Sequence, residues 1–323
     1  MYKPASVVCV SLFLTASTLA AQESATLDFA WPAGSKAEVT ITSATSASVM
    51  GQTMTEEGEV TYHILAEADG DGMVVRYSDF VFDGTVMDDL VSSGDPEDLT
   101  KILSGTQSDI RVDADGQFVG LVDYAAMRES MEALLAPQQE ELDAMGMGGI
   151  LDDFIQASMS EEALSDASRV QWNQWVGFWA GRTMSTAESV IVPNEMTFPI
   201  LGATPVTVET ELTLVGPTDC PEGSGARRCV EVASSSAPDG EELRNLMDIF
   251  MAEMSEQAGG VGMEVGVTGM EIQVRSVMIV DADTLQPLRI ETTSDTAMEM
   301  DAMGMTQAMD NAQTLVTVFD WES

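Results

Sequence analysis

The stretch "KAEVTITSATSASVMGQTMTEEGEVTYHILAEADGDGMVVRYSDFVFDG", Lys36–Gly84, decides the fold. Apolar and polar residues alternate along it for long runs, as in half-buried strands, and the alternation breaks at "MGQ" and at "ADGDG". Glycine lets the chain reverse at such breaks, so the pattern predicts a meander of long antiparallel strands. The second break also places Glu67, Asp69, Asp71 and Gly72 at the first positions of a calcium-binding loop. Ser78 stands where the bidentate Glu belongs, and strands flank the loop instead of helices, so it reads as a turn.

Working toward the C-terminus, "PEDLTKILSGTQSDIRVDADGQFVGLVDY" predicts a short helix and then a hairpin turning on "DADGQ", where Gly116 supplies the positive φ. From Tyr124 to about Gly181 the period becomes helical, with Met127, Met131, Leu134 and Leu135 spaced along one face and Pro137 and Gly148–Gly149 as breaks. Trp172, Trp175 and Trp179 crowd the end of this insert with Phe178. Such a cluster either anchors a helix on a sheet or lines the mouth of a pocket. Strand patterns resume in "TMSTAESVIVP", "TPVTVETELTLVG" and "CVEVASSSA". One helix follows, "DGEELRNLMDIFMAEMSEQAGG", with Asp239 as N-cap and Leu243, Leu246, Met247, Phe250, Met251 and Met254 on its apolar face. A strand hairpin over Met270–Met300 and a closing strand beginning near Gln313 complete the pattern. The strand–strand–helix order occurs in each half, which allows a duplication without a residue-level repeat to mark it.

Working toward the N-terminus, "MYKPASVVCVSLFLTASTLAAQE" has a short n-region with Lys3, an apolar run from Ala5 to Ala16 and small residues at Ala20 and Ala21. Residues 1–21 are thus expected to be a cleaved signal peptide, with Cys9 inside its apolar run. Residues 22–323 then form a single β-rich domain with the helical insert at about 124–181, exported to the periplasm or secreted. No later stretch approaches the ~20 uninterrupted apolar residues that a transmembrane helix needs. In an oxidising compartment Cys220 and Cys229, which flank a Pro/Gly/Ser loop, are expected to pair as a disulfide. A zinc site would want further thiols or imidazoles, and the single histidine is His63.

The chain carries 54 acidic against 13 basic residues, a formal net charge of -41. That balance argues against nucleic acid and anionic membrane surfaces as partners, because phosphate neutralisation needs a basic face. At 45% hydrophobic content the chain can still fill a sizeable core. No nucleophile elbow, phosphate-binding loop or H-E-x-x-H motif occurs, so the sequence points away from an enzyme and calls for no cofactor.

Methionine is the one soft ligand in quantity, 23 residues in all. In "TAMEMDAMGMTQAMDNAQ" the spacings of Met298, Met300, Met303 and Met305 would suit copper(I). The same side chains also suit irregular apolar packing or a cavity wall that accommodates varied shapes.

The hairpin "SVMIVDADTLQPLRIETTS" resembles one in the LolA-like group of periplasmic carriers. There a strand ends in Asp, turns through Thr and Pro, and returns with a basic residue, the places held here by Asp281, Thr284, Pro287 and Arg289. The segment "SDIRVDADGQFVGLVDYAAMRESM" is similar to strand-turn-strand-helix passages in uncharacterised exported bacterial families. Together the two matches cover about 45 residues. The chain differs from the smaller carriers in its length, its central helical insert and the position of its cysteine pair. The resemblance implies an α+β fold: a large curved antiparallel β-sheet, half-barrel-like, with helices packed on one face over a cavity for acyl chains. On that basis the expected role is non-catalytic binding or carriage of a lipid or other hydrophobic ligand. The expected pocket residues, taken from amphipathic faces, are Met127, Met131, Leu134, Phe154, Trp172, Trp175, Trp179, Leu246, Phe250 and Met251. A Met-rich copper(I)-binding protein and a structural envelope protein without a small ligand are the alternatives.

Overall fold

The computed structural model describes residues 24–49, 52–84, 104–105, 107–144, 159–197, 205–257, 265–302 and 305–322. The expected leader, Phe154 and Met303 therefore lie outside the described residues, as does most of the short helix expected after Pro96.

Lys36–Gly84 forms three long strands, β2 (Lys36–Val49), β3 (Gln52–Asp69) and β4 (Gly72–Gly84), as the alternation requires. They follow β1 (Ser24–Leu27) and lead to β5 (Ile110–Val112) and β6 (Phe118–Leu121). The helical region contains α1 (Tyr124–Ala144) and α2 (Glu161–Trp172), the latter running into a π-helical turn at Asn173–Gly177. Next come β7 (Arg182–Ser185), β8 (Ser189–Thr197), β9 (Pro205–Thr218), β10 (Cys229–Pro238), α3 (Gly240–Gln257), β11 (Val265–Asp281), β12 (Pro287–Ala302) and β13 (Met305–Trp321).

Among the described residues eleven strands form one antiparallel sheet in the order β6-β5-β4-β3-β2-β13-β12-β11-β10-β9-β8, and β1 pairs with β7 in a small second sheet. Every neighbour in the large sheet is adjacent in sequence except at the centre, where β13 pairs with β2 from Trp321↔Ala37 to Met309↔Val49. Helix α3 packs on β11, whereas α2 packs against both β6 and β8, the two edges of the sheet.

Two elements differ from the sequence pattern. Helix α1 continues through Pro137, which was expected to break it. Proline forfeits one backbone hydrogen bond, but the flanking "EALLAPQQEEL" consists of strong helix formers that carry the helix across. Strand β13 starts at Met305 instead of near Gln313. The described parts of the acidic, methionine-rich stretch are therefore two paired strands, with Ala302 opposite Met305, where the sequence pattern ends one strand at Met300 and begins the next near Gln313.

The main core lies on one face of the sheet. Tyr62, Ile64 and Ala66 of β3 meet Val39 of β2, Phe319 and Trp321 of β13 and Ile290 of β12, all buried. Phe29, Trp31, Trp172 and Trp321 interlock edge to face, with Trp31 5.4 Å from Trp172 and 4.9 Å from Trp321 between ring centroids. Each buried indole removes ~150–250 Å² from water, roughly 4–6 kcal/mol before the entropy of ordering it is subtracted. A second, smaller cluster joins Leu243 and Leu246 of α3 to Val206 of β9, with Met247, Met270 and Ile272 at its margin. Asp239 caps α3 as the sequence predicts, accepting from the amides of Glu241 and Glu242 at 2.8 and 3.0 Å.

Candidate functional site

The "DADGQ" turn between β5 and β6 closes as expected. Asp113 Oδ1 accepts from the amides of Asp115 and Gln117, and Gly116 takes φ +78°. A side chain at Gly116 would also strike the Phe29 ring, since an added Cβ would lie 2.6 Å from it. The turn between β11 and β12 is built from the same "VDAD" start: Asp281 Oδ1 accepts from Asp283 N at 2.8 Å. Each turn then offers a carbonyl to an indole, Gly116 O to Trp172 Nε1 at 2.8 Å and Leu285 O to Trp31 Nε1 at 3.2 Å. The aromatic hub is thereby pinned between one turn from each half of the sheet.

This geometry fixes where the expected pocket residues lie. Trp172, Trp175 and Trp179 are 1%, 6% and 1% exposed within the main core. Trp179 Nε1 donates to Gln174 O, and Trp175 packs edge-on against Phe319. Met127 is buried, Met131 half-buried, and Leu246 sits in the second cluster under α3. The structure thus places the three tryptophans in the main core and Leu246 in the second cluster, with Met127 and Met131 in neither. The side chains of Leu134, Phe250, Met251 and Met305 lie outside the described residues.

Cys220 and Cys229 form the expected disulfide, with Cα atoms 5.2 Å apart, tying the loop between β9 and β10 at its base. Beside it opens a cavity of about 710 Å³. Its apolar lining includes Leu214, Val230 and Ala282, which belong to the main core, and its charged lining is Asp219, Arg227 and Arg228. The volume falls within the ~300–1,000 Å³ usual for small-molecule sites. Arg228 Nη1 lies 3.1 Å from Asp283 Oδ1, and Arg227 has no carboxylate within pairing distance among the described residues. Two other depressions of about 410 Å³ each differ in kind. One gathers Glu57, Glu59 and Asp83, the other Glu271, Asp295 and Asp310, and neither lining includes a basic side chain.

The methionines make a second assembly. Met270 of β11 stands opposite Met298 of β12, which stands opposite Met309 of β13. Directly paired residues share a face with Cβ atoms about 4.5–5.5 Å apart, so three half-buried thioethers form a row across three strands. Met300 lies two residues beyond Met298 on the same face, opposite Gln307. The pattern within one strand revealed Met298 and Met300. Met270 and Met309 join them through pairing alone, which spacing along the chain does not disclose.

The remaining polar groups serve the sheet. Arg76 bridges Glu67 and Asp109 at 2.6 and 2.7 Å, and Arg111 holds Asp69 at 2.7 Å, so the carboxylates at the end of β3 are engaged in ion pairs. His63, 27% exposed, lies between Asp79 at 3.2 Å and Glu38 at 3.7 Å. Its Nδ1 makes no hydrogen bond, the Asp79 oxygen being near but outside bonding geometry. Burial pushes the Tyr62 and Tyr77 phenols well above their ordinary range, Tyr77 as a neighbour adding to the effect at Tyr62 and Asp109 to that at Tyr77.

Among the described residues no group of three or more His, Cys, Asp or Glu side chains is arranged to hold a metal ion, and no helix is long and apolar enough to cross a membrane. Comparison with family models and with curated proteins finds no match to the chain.

Proposed function

We propose that this chain is an exported, non-catalytic protein that binds or carries a hydrophobic ligand, and that the cavity beside the Cys220–Cys229 loop is where the ligand enters the fold. The observation that carries the proposal is the cavity's floor. Leu214, Val230 and Ala282 are residues of the main core, so an apolar ligand seated there would extend that core.

The contacts of α2 with both β6 and β8 support the same reading. Eleven strands laid flat would span about 48 Å from edge to edge, at ~4.8 Å per step. Helix α2 has 12 residues, about 18 Å of length, and packs against both edges. We infer from this a sheet rolled toward a half-barrel, with α2 across its seam and an inner face that can enclose a ligand.

The test is native mass spectrometry of protein taken from its own envelope, together with titration by a fluorescent acyl probe. Ala226→Trp, which places an indole in the cavity, should abolish probe binding. A clean apo mass together with no probe response would sink the proposal.

A second reading is favoured by one specific observation, the Met270–Met298–Met309 row. Three thioethers on one face suit a soft ion such as copper(I), with ligands drawn from three strands instead of from the single tract at 298–305. Anaerobic titration with copper(I) against a competing chelator tests it.

A further inference from the structure

We infer that the ligand of the disulfide-flanked cavity carries a negative charge: a single-chain amphiphile whose carboxylate or phosphate head meets Arg227 and Arg228, while its chain lies over Leu214, Val230 and Ala282. This rests on the proposed ligand-binding role and names the chemistry of what is bound.

Charge distribution is the first argument. With 54 acidic and 13 basic residues, most of the molecule's field repels anions, so an anion needs a local exception to bind. The cavity is such an exception, because its lining carries two guanidinium groups against one carboxylate, Asp219. The two depressions lined by Glu57, Glu59 and Asp83 and by Glu271, Asp295 and Asp310 carry carboxylates alone among their charged residues.

The state of the two arginines is the second. Among the described residues most cations neutralise neighbouring acids, as Arg76, Arg111, Arg128 and Lys36 do. Arg227 pairs with no carboxylate among the described residues although acids are abundant. The Arg228–Asp283 contact is 68% and 53% exposed at its two side chains, so it is weak and free to yield to a ligand. A guanidinium fork matches a carboxylate or phosphate with two parallel hydrogen bonds, which an ammonium or a hydroxyl head would not provide.

Preorganisation is the third. Arg227 and Arg228 immediately precede Cys229, whose disulfide to Cys220 closes the loop, and Gly225 at φ +70° turns the chain just before them. The cations are thus held at the cavity mouth by covalent and backbone geometry, which lowers the ordering cost of binding. The apolar floor separates this site from a simple anion site: Leu214, Val230 and Ala282 are only 1%, 6% and 7% exposed, and an alkyl chain would complete their cover where free phosphate would not.

Binding of dodecanoate, dodecyl phosphate, dodecanol, dodecyltrimethylammonium and inorganic phosphate to the full mature protein tests the inference. The two anionic amphiphiles should bind about tenfold or more tightly than dodecanol, the scale of a charge-assisted hydrogen bond, with inorganic phosphate and the cationic amphiphile weaker still. Arg227→Gln with Arg228→Gln should bring dodecanoate to within about twofold of dodecanol while circular dichroism and the disulfide stay unchanged, and Arg128→Gln on α1 should leave the preference intact. Equal binding of dodecanoate and dodecanol would overturn the charged-head inference and leave the apolar-ligand role standing. Inorganic phosphate binding as tightly as dodecanoate would also overturn it. Failure of every amphiphile to bind would remove the ligand-binding role itself.

Discussion

The indole N–H of Trp31 donates to the carbonyl of Leu285 at 3.2 Å, across 254 residues of chain. Leu285 is fully buried and holds φ +61°, a backbone conformation that a branched side chain rarely adopts. Its amide donates to Asp281 O, and the neighbouring Thr284 carbonyl accepts from Ala30 N, so the strained turn is held on both sides. Trp31→Phe keeps the aromatic contact and removes the donor. The buried Leu285 carbonyl then loses its partner, at a cost of about 1–3 kcal/mol. Urea unfolding should show a lower midpoint with an unchanged slope.

Alkaline pH should destabilise the protein through Tyr62 and Tyr77. Both phenols are held neutral by burial, so above the ordinary phenol pKa of about 10 the unfolded chain loses protons that the folded chain retains. Their contribution to stability is complete below about pH 10 and declines as pH rises beyond it. Absorbance at 295 nm should report ionisation of these two tyrosines together with unfolding, and Tyr62→Phe with Tyr77→Phe should remove that coupled step.

Opening the Cys220–Cys229 link by replacing both cysteines with serine should lower stability by about 2–3 kcal/mol, the loop-closure entropy of a ten-residue ring. The same variant should weaken dodecanoate binding more than it weakens dodecanol binding, because Arg227 and Arg228 lose their fixed position at the cavity mouth. Isothermal titration reads both effects. Equal loss for the two probes would show that the loop positions the floor and not the charge.

Changing Met270, Met298 and Met309 to Leu separates packing from metal binding. Leucine conserves volume, so each change should cost less than about 1.5 kcal/mol. If the row serves as apolar packing, copper(I) affinity measured by chelator competition should be unaltered in the triple variant; a loss of affinity would identify the row as the ligand set.

The strand pattern was readable because most of it is local. Alternation along Lys36–Gly84, the glycine at Gly116 and the Asp239 cap are each decided by residues a few positions apart. What escaped was decided by partners far away in sequence. Helix α1 passes Pro137 because its neighbours compensate, and β13 starts at Met305 because β12 pairs with it from that residue on. Arg227 and Arg228 attract no notice in the sequence, since two adjacent arginines in a loop are ordinary. They gain meaning from Leu214, Val230 and Ala282, which three different parts of the chain bring to the same cavity. One signal was legible and easily passed over: the shared "VDAD" of the two turns, whose carbonyls take Trp172 and Trp31.

The pairing of β13 with β2 has a consequence for how the molecule is made. Thirteen register pairs join the last strand to one of the first, and they complete the centre of the sheet. A chain emerging from the N-terminus can form β2–β4 early, yet the inner edge of β2 stays unpaired until β13 arrives. Such long-range closure is slow and leaves an open strand edge in the meantime. The open edge itself carries little charge, with Lys36 and Glu38 the charged residues of β2, so it is the chain's overall charge of -41 that would act during assembly, keeping half-built sheets of neighbouring molecules apart until each can close on its own final strand.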